Sequence, residues 1–184
     1  MKHARPDPAA LAKALLAPDM QERYWHVAAV ASRARSVNQC LAREDSALVA
    51  AAWLHDIGYA ASVRSTGFHP LDGARYLARS GFDPQVVSLV AFHSAAAVEA
   101  RLRGLHDELA DEFHPPDRRL LDLLTFCDMT TGPQGQSMTV DDRLEEILAR
   151  YRAEDVVHQA ISLSAAQLRT TVREVDDHLA AQSQ

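Results

Sequence analysis

The sequence predicts an all-α protein, and three observations support this fold class. Alanine, leucine, arginine, glutamate and glutamine dominate the chain, and all of them are favourable in helices. The alternation of apolar and polar residues that is typical of half-buried strands is nearly absent. Glycine, which weakens helices, occurs only 7 times in 184 residues. Because the chain has no repeat and no linker-like stretch, we expect one domain over residues 1–184.

Prolines, capping residues and glycines mark the ends of the helices in the first half. Pro8 opens a short first helix, and Pro18 separates it from a long second one. Ser46 is a favourable N-cap for the third helix, and Gly58 is expected to end it. Pro70 stands at a first-turn position, as prolines at helix starts do. These signals predict helices over residues 8–17, 20–39, 47–57 and 70–79.

The second half of the chain follows the same rules. Pro84 opens one helix and the pair Pro115-Pro116 opens another. Gly132, Pro133 and Gly135 mark a loop over residues 130–139. The helices predicted here cover residues 84–92, 95–103, 105–113, 115–128, 141–150 and 155–180. The last of them has an apolar series that packs either on its own domain or on a second subunit, which leaves a homodimer open.

Charge and composition exclude several classes of protein. The net charge is −6 and no basic block occurs, so a nucleic-acid polymer is not an expected partner. No apolar run is long enough to span a bilayer, and the first residues lack a signal-peptide pattern. With only Cys40 and Cys127, neither a disulfide framework nor a cysteine zinc site is expected. We therefore expect a cytoplasmic protein that is not associated with membranes.

Three apolar helices end in a histidine or an aspartate. His55 and Asp56 follow a run that is apolar on every side, His93 follows another, and Asp128 ends a third. An ionised carboxylate inside a core is costly unless it is paired or binds a metal. Because three helices share this feature, we expect a common interior site. Imidazole and carboxylate ligands together suit Fe, Mn, Zn, Co or Ni.

Two further histidines are candidates for the same site. His26 shares an apolar stripe with Val30, Ala34 and Val37 on the second helix, and the alternative is a hydrogen-bonded core histidine. His69 precedes Pro70 at the start of a helix, where the alternative is a capping or surface histidine.

Taken together, these residues resemble the HD superfamily of metal-dependent phosphohydrolases. His26, Leu54-His55-Asp56-Ile57-Gly58, His69, His93 and Asp128 carry the resemblance, which is strongest to the HDIG-type members and covers about residues 20–150. It implies a compact multi-helix HD-domain bundle around a buried metal site. One metal would be held by His26, His55, Asp56 and Asp128, and Asp56 would bridge to a second metal held by His69 and His93. Relatives often have a histidine at the position of Ser94, so one or two metals per chain remain open.

The resemblance also implies an activity. It predicts hydrolysis of a small phosphate ester, with a nucleotide favoured, in which a metal-activated hydroxide attacks phosphorus. Cyclic di-GMP is not favoured because the Gly-Tyr-Pro element of its phosphodiesterases is absent. Asp72 is a candidate acid for the leaving group, the alternative being an acid that stabilises the helix dipole. Arg64 and Arg143 are candidates to bind substrate phosphate, whereas Glu99 is interpreted as a solvated helix charge.

Two other functions remain open at this point. A branch of the same superfamily uses a mixed-valent di-iron site to cleave carbon–carbon or carbon–phosphorus bonds with oxygen, and its ligand set is the same. The domain could also be a non-catalytic sensor that binds a nucleotide or a metal and signals through a partner.

Overall fold

The structure, a computed structural model, describes residues 6–41 and 45–182 and confirms the all-α fold. Within these residues a 3-10 turn, Ile57–Tyr59, connects the third and fourth of ten α-helices. The helices are α1 (Pro8–Leu16), α2 (Gln21–Cys40), α3 (Ser46–Leu54), α4 (His69–Arg79), α5 (Pro84–Phe92), α6 (Ala96–Arg103), α7 (His106–Glu112), α8 (Arg118–Met129), α9 (Val140–Arg150) and α10 (Val156–Gln182). Within the described part of the chain, none of the helices is both long enough and apolar enough to cross a membrane.

Both predicted ends of the third helix were wrong. The N-cap of α3 is Asp45 rather than Ser46, because the Asp45 carboxylate accepts hydrogen bonds from the backbone N–H groups of Ala47 and Leu48, at 3.0 and 3.3 Å. At the other end, α3 stops at Leu54, three residues before the predicted end. The chain then turns through His55 and Asp56 into the 3-10 turn, so Gly58 lies inside that turn and does not end the helix.

Helix α3 lies at the centre of the bundle, as its apolar sequence predicted. It packs against α1, α2, α5 and α8, and the side chains of Leu48, Ala51 and Leu54 are fully buried. Four neighbouring helices cover most of its surface, which accounts for the absence of a polar face. Its C-terminal end therefore delivers the two residues that follow, His55 and Asp56, into the interior of the protein.

The last helix, α10, packs against its own chain. It contacts α6, α8 and α9, and its buried side chains include Ile161, Leu168, Val172 and Val175. Leu163 stands on the opposite side of α10 and is 68% exposed. The packing of α10 closes the side of the bundle on which α8 and α9 approach the interior histidines.

Candidate metal centre

Four separate segments of the chain meet in one buried cluster of histidine and aspartate side chains. Two groups of three side chains each place their ligand atoms within 4.8 Å of one another, and Asp56 belongs to both. The first group is His26, His55 and Asp56, and the second is Asp56, His69 and His93. Asp56 is thus shared between two adjacent triads, as the resemblance to the HD superfamily predicted for a bridging ligand.

Asp128, at the C-terminal end of α8, joins the cluster beside the first triad. Its Oδ1 atom lies 3.1 Å from His26 Nε2 and 3.9 Å from His55 Nε2. In the second triad, His69 Nε2 lies 3.4 Å from Asp56 Oδ1 and 3.2 Å from His93 Nε2. The structure therefore brings all six predicted metal-ligating residues together.

Three of the histidines are oriented by backbone carbonyl groups. His26 Nδ1 donates to Gly132 O at 3.1 Å, His55 Nδ1 to Ala52 O at 2.9 Å, and His93 Nδ1 to Val90 O at 2.7 Å. A carbonyl oxygen can only accept, so in each ring the proton lies on Nδ1. The Nε2 atoms that face the cluster then carry the free lone pairs that a metal ion requires.

The charge state of the cluster also suits a cation. Burial alone would raise the pKa of Asp56, but the Arg23 guanidinium, 2.5 Å from Oδ2, and then His55 hold that pKa well below its usual value. Burial likewise acts to raise the pKa of Asp128, and the contacts with His26, His55 and Arg143 together lower that pKa. Burial lowers the pKa values of His69 and His93, which favours the neutral imidazoles that bind metals.

One buried nitrogen supports the interpretation as a metal site. His55 Nε2 has no hydrogen-bond partner among the described residues, although it lies 3.6 Å from Asp56 Oδ2 and 3.9 Å from Asp128 Oδ1. Leaving a buried polar atom without a partner is costly, and such atoms are rare in folded proteins. A divalent cation among these atoms would satisfy the nitrogen and both carboxylates, so the residues present fit a metal.

The structure does not bring Asp72 or Arg64 into the cleft beside this cluster. Asp72 is 1% exposed, and its carboxylate accepts backbone N–H hydrogen bonds from Ser65, Thr66 and Gly67 at 2.9–3.1 Å. These bonds hold the loop that precedes His69 and engage both carboxylate oxygens, so the Asp72 carboxylate does not take part in the histidine–aspartate cluster. Arg64 is exposed and does not line the cleft. Both predicted roles lack support from the geometry.

Arg143, by contrast, does line the cleft. Its side chain is 8% exposed, and its Nη2 atom lies 3.8 Å from Asp128 Oδ1. It enters from the first half of α9, which packs against α8 and α10. Arg143 is thus placed where it could reach a phosphate group in the cleft, and its role in binding substrate stays a prediction.

Three further residues line the cleft that the sequence analysis did not place there: Arg23, Tyr59 and Glu99. The Arg23 guanidinium lies 3.9 Å from the centre of the Tyr59 ring, which stacks on His69 at 4.1 Å between centroids. The pattern did contain a signal for Arg23, because a residue three positions before His26 shares its helix face. Glu99, interpreted from the sequence as solvated, is only 7% exposed and lines the cleft.

Ser94 supports Asp128 in place of a second histidine. Its hydroxyl donates to Asp128 Oδ2 at 2.5 Å, and its φ of 51° lies in the left-handed region that residues other than glycine rarely adopt. Ser94, in the turn after α5, thus has a strained backbone conformation. In this conformation its hydroxyl orients the carboxylate of Asp128, one of the predicted metal ligands.

Substituting Ser94 by alanine should therefore weaken metal binding by about 10–100-fold, since a partner of a ligand is lost and not a ligand itself. Competition with a chromophoric chelator measures this affinity. Alanine has the same backbone restriction as serine, so the change reports the hydroxyl, and Ser88→Ala on α5 is the matched control. An unchanged affinity would contradict the role assigned to the hydroxyl.

The helical bundle encloses a buried histidine–aspartate cluster whose side chains could bind metal ions. Residues 23–128 match the family model of the HD domain, which is more than half of the chain, and the protein therefore belongs to the HD domain family. This is a family of metal-dependent phosphohydrolases. Comparisons with curated proteins and with solved structures yield no significant match.

Proposed function

We propose that this protein is a metal-dependent phosphohydrolase that acts on a small phosphate ester, with a nucleotide as the favoured class. The position of Asp56 in two adjacent triads carries the proposal, because a carboxylate has two oxygens and can serve two metals at once. His26, His55, Asp56 and Asp128 would hold the first metal. Asp56, His69 and His93 would hold the second.

Bound there, divalent transition metals such as Fe, Mn, Zn, Co or Ni supply an activated water and neutralise charge on the phosphoryl oxygens. The residues of the chain supply the rest. Arg23 and Arg143 line the cleft on the same side as Asp56 and Asp128 and can donate to the remaining phosphoryl oxygens. Tyr59, stacked on His69, keeps that imidazole in its place.

The leaving group needs a proton, and Glu99 is the best placed residue to deliver it. Among the described residues, three carboxylates line the cleft. Asp56 belongs to both triads and Asp128 contacts His26, so Glu99 is the one not engaged with the histidine cluster. Its Oε1 atom accepts from Arg103 at 2.7 Å, which orients the side chain and favours the ionised form. Glu99 would therefore first take up the proton that the attacking water loses and then pass it to the leaving group. We assign the acid role to Glu99 in place of Asp72.

Two substitutions separate these carboxylates. Glu99→Gln should lower kcat by about 10²-fold with little change in stability, since proton transfer is lost. Asp72→Asn should lower the free energy of unfolding by about 2 kcal/mol, because an amide NH₂ then faces backbone N–H groups, and should change kcat by less than about tenfold. Urea unfolding and steady-state kinetics measure both. A folded Asp72→Asn variant without turnover would return the acid role to Asp72.

Elemental analysis by plasma mass spectrometry, on protein purified without chelator or metal-affinity resin, tests the metal centre first. We expect about two equivalents of transition metal per chain. About one equivalent would indicate a single metal at His26, His55, Asp56 and Asp128. No metal, even after reconstitution with Mn, Fe, Co, Ni or Zn, would overturn the proposal.

A panel of phosphate esters, assayed with the reconstituted metals, tests the activity. Hydrolysis with a redox-inert metal such as Zn supports the phosphohydrolase. Turnover that requires both iron and oxygen would instead establish the oxygenase alternative. Tight nucleotide or metal binding without turnover would establish the sensor.

A further inference from the structure

A second cavity lies next to the metal cleft and shares one wall with it. Its volume is 340 Å³, within the range of small-molecule sites. Three arginines, Arg23, Arg143 and Arg150, line both the cleft and this cavity. A ligand held at the metals can therefore extend along a continuous arginine wall into the second cavity.

The arginines of this wall are paired with carboxylates, and one of those carboxylates serves two arginines. Arg143 and Arg150 both donate to the same oxygen of Glu146, at 2.5 and 2.7 Å. Arg143 also lies 3.8 Å from Asp128 Oδ1, and Arg23 pairs with Asp56. Asp19 and Glu22 also line the cavity, and both are exposed, as Arg150 is, so solvent screens all three charges. The guanidinium N–H groups that these carboxylates do not use remain available to an anion.

One buried donor at this wall has no acceptor. Arg143 Nε is buried and has no hydrogen-bond partner among the described residues, and the side chain as a whole is only 8% exposed. A guanidinium presents its N–H groups as a planar fork that matches two oxygens of a phosphate. An anion in the cavity would supply the acceptor that the fold leaves out.

The start of α2 adds further donors on the same cavity. Gln21 and Glu22, the first residues of this 20-residue helix, line it, and the N-cap Met20 makes no capping hydrogen bond through its side chain. The first N–H groups of a helix lack partners within the helix, and the helix dipole is positive at that end. An uncapped helix start on the same cavity as a buried guanidinium with one unpartnered N–H group is a favourable place for a phosphate.

We propose that the second cavity binds a second phosphate group of the substrate, so that preferred substrates carry two phosphates, as a nucleoside diphosphate or bisphosphate does. The identity of the ligand as a substrate rests on the proposed function. Anion binding by Arg143, Arg150 and the start of α2 does not, and it can be tested without turnover.

Calorimetric titration of the full chain with inorganic phosphate, after chelator treatment so that no metal competes, tests the site directly. Gln21→Glu places a negative charge at the helix start and should weaken phosphate binding about tenfold. Gln39→Glu makes the same charge change at the exposed far end of α2 and should leave the affinity unchanged. Arg150→Gln should also weaken binding about tenfold, with exposed Arg152→Gln as its control.

Wild-type affinity in both Gln21→Glu and Arg150→Gln, or no phosphate binding by the wild type, would overturn the inference. Because Glu is favourable in the first turn of a helix, Gln21→Glu should fold even if Arg150→Gln does not. Circular dichroism confirms folding in each case.

Kinetics of the metal-loaded protein test the assignment to the substrate. The probes are adenosine 5′-diphosphate, adenosine 3′,5′-bisphosphate and p-nitrophenyl phosphate, which has one phosphate. For adenosine 5′-diphosphate, adenosine 3′,5′-bisphosphate or both, Gln21→Glu should raise the ratio of the KM to that of p-nitrophenyl phosphate by about tenfold. Gln39→Glu should leave this ratio unchanged. An unchanged ratio for both would overturn the substrate assignment while leaving the phosphohydrolase intact. If no probe is hydrolysed, the proposed function fails and the phosphate titration alone decides the inference.

Discussion

Replacing Asp56 by asparagine should remove hydrolysis almost completely, with kcat lowered by at least about 10³-fold. An asparagine side chain offers one neutral oxygen where Asp56 offers two charged ones. Asp56 is the side chain shared by both triads, 3.6 Å from His55 Nε2 and 3.4 Å from His69 Nε2. Metal content should therefore fall together with turnover, and elemental analysis of the purified variant measures it.

The same substitution leaves Arg23 without its carboxylate. Removing one partner of a buried ion pair destabilises proteins by about 3–5 kcal/mol, so some loss of stability is expected as well. Arg23→Gln combined with Asp56→Asn removes both charges and should recover part of that stability without recovering metal or turnover. Asp122→Asn, a neutralised aspartate on α8 that pairs with Arg118, is the matched control. A folded Asp56→Asn variant that keeps two metals and turns over substrate would disprove the bridging role.

Much of this centre could be predicted because its ligands follow apolar segments. A helix without a polar face has to be central, and whatever follows it emerges inside the protein, as His55 and Asp56 do after α3. Helices α5 and α8 repeat the pattern with His93 and Asp128. Signals of this kind depend on a few neighbouring residues, so they can be identified in the sequence without knowledge of the rest of the fold.

The positions of Asp72, Glu99 and Gly58 depend on contacts between residues that the local pattern does not connect. Whether Asp72 faces the cluster depends on how the loop before α4 folds back, and its hydrogen bonds with residues 65–67 decide the matter. Glu99 belongs to a polar helix, which predicts a solvated side chain, but α10 packs against α6 and the residue becomes buried. Gly58 resembles the glycines that end helices. The requirement for glycine at this position comes instead from the backbone of His69, 11 residues further along the chain.

Substituting Gly58 by alanine should cost about 3 kcal/mol or more in the free energy of unfolding. A Cβ atom at this position would lie 2.0 Å from the carbonyl oxygen of His69 and 2.8 Å from its Cα. These are backbone atoms at the start of α4, so relief requires α4 to move away from the 3-10 turn. Because His69 Nε2 lies 3.4 Å from Asp56 Oδ1, that movement should also weaken the second triad.

Gly104→Ala is the control that separates this steric effect from the general cost of replacing glycine. Gly104 has a φ of 70°, and a Cβ atom added there would meet nothing within 4 Å, so alanine should cost only about 1 kcal/mol, from backbone strain. Urea unfolding compares the two variants, and metal analysis should show that Gly58→Ala retains fewer metal ions per chain while Gly104→Ala retains the wild-type content. Equal stability losses with both metals kept would mean that the contact between Gly58 and His69 does not hold α4 in place. A larger loss in Gly58→Ala, together with reduced metal content, would show that the glycine of the His-Asp-Ile-Gly sequence lets α4 approach closely enough for His69 to reach Asp56.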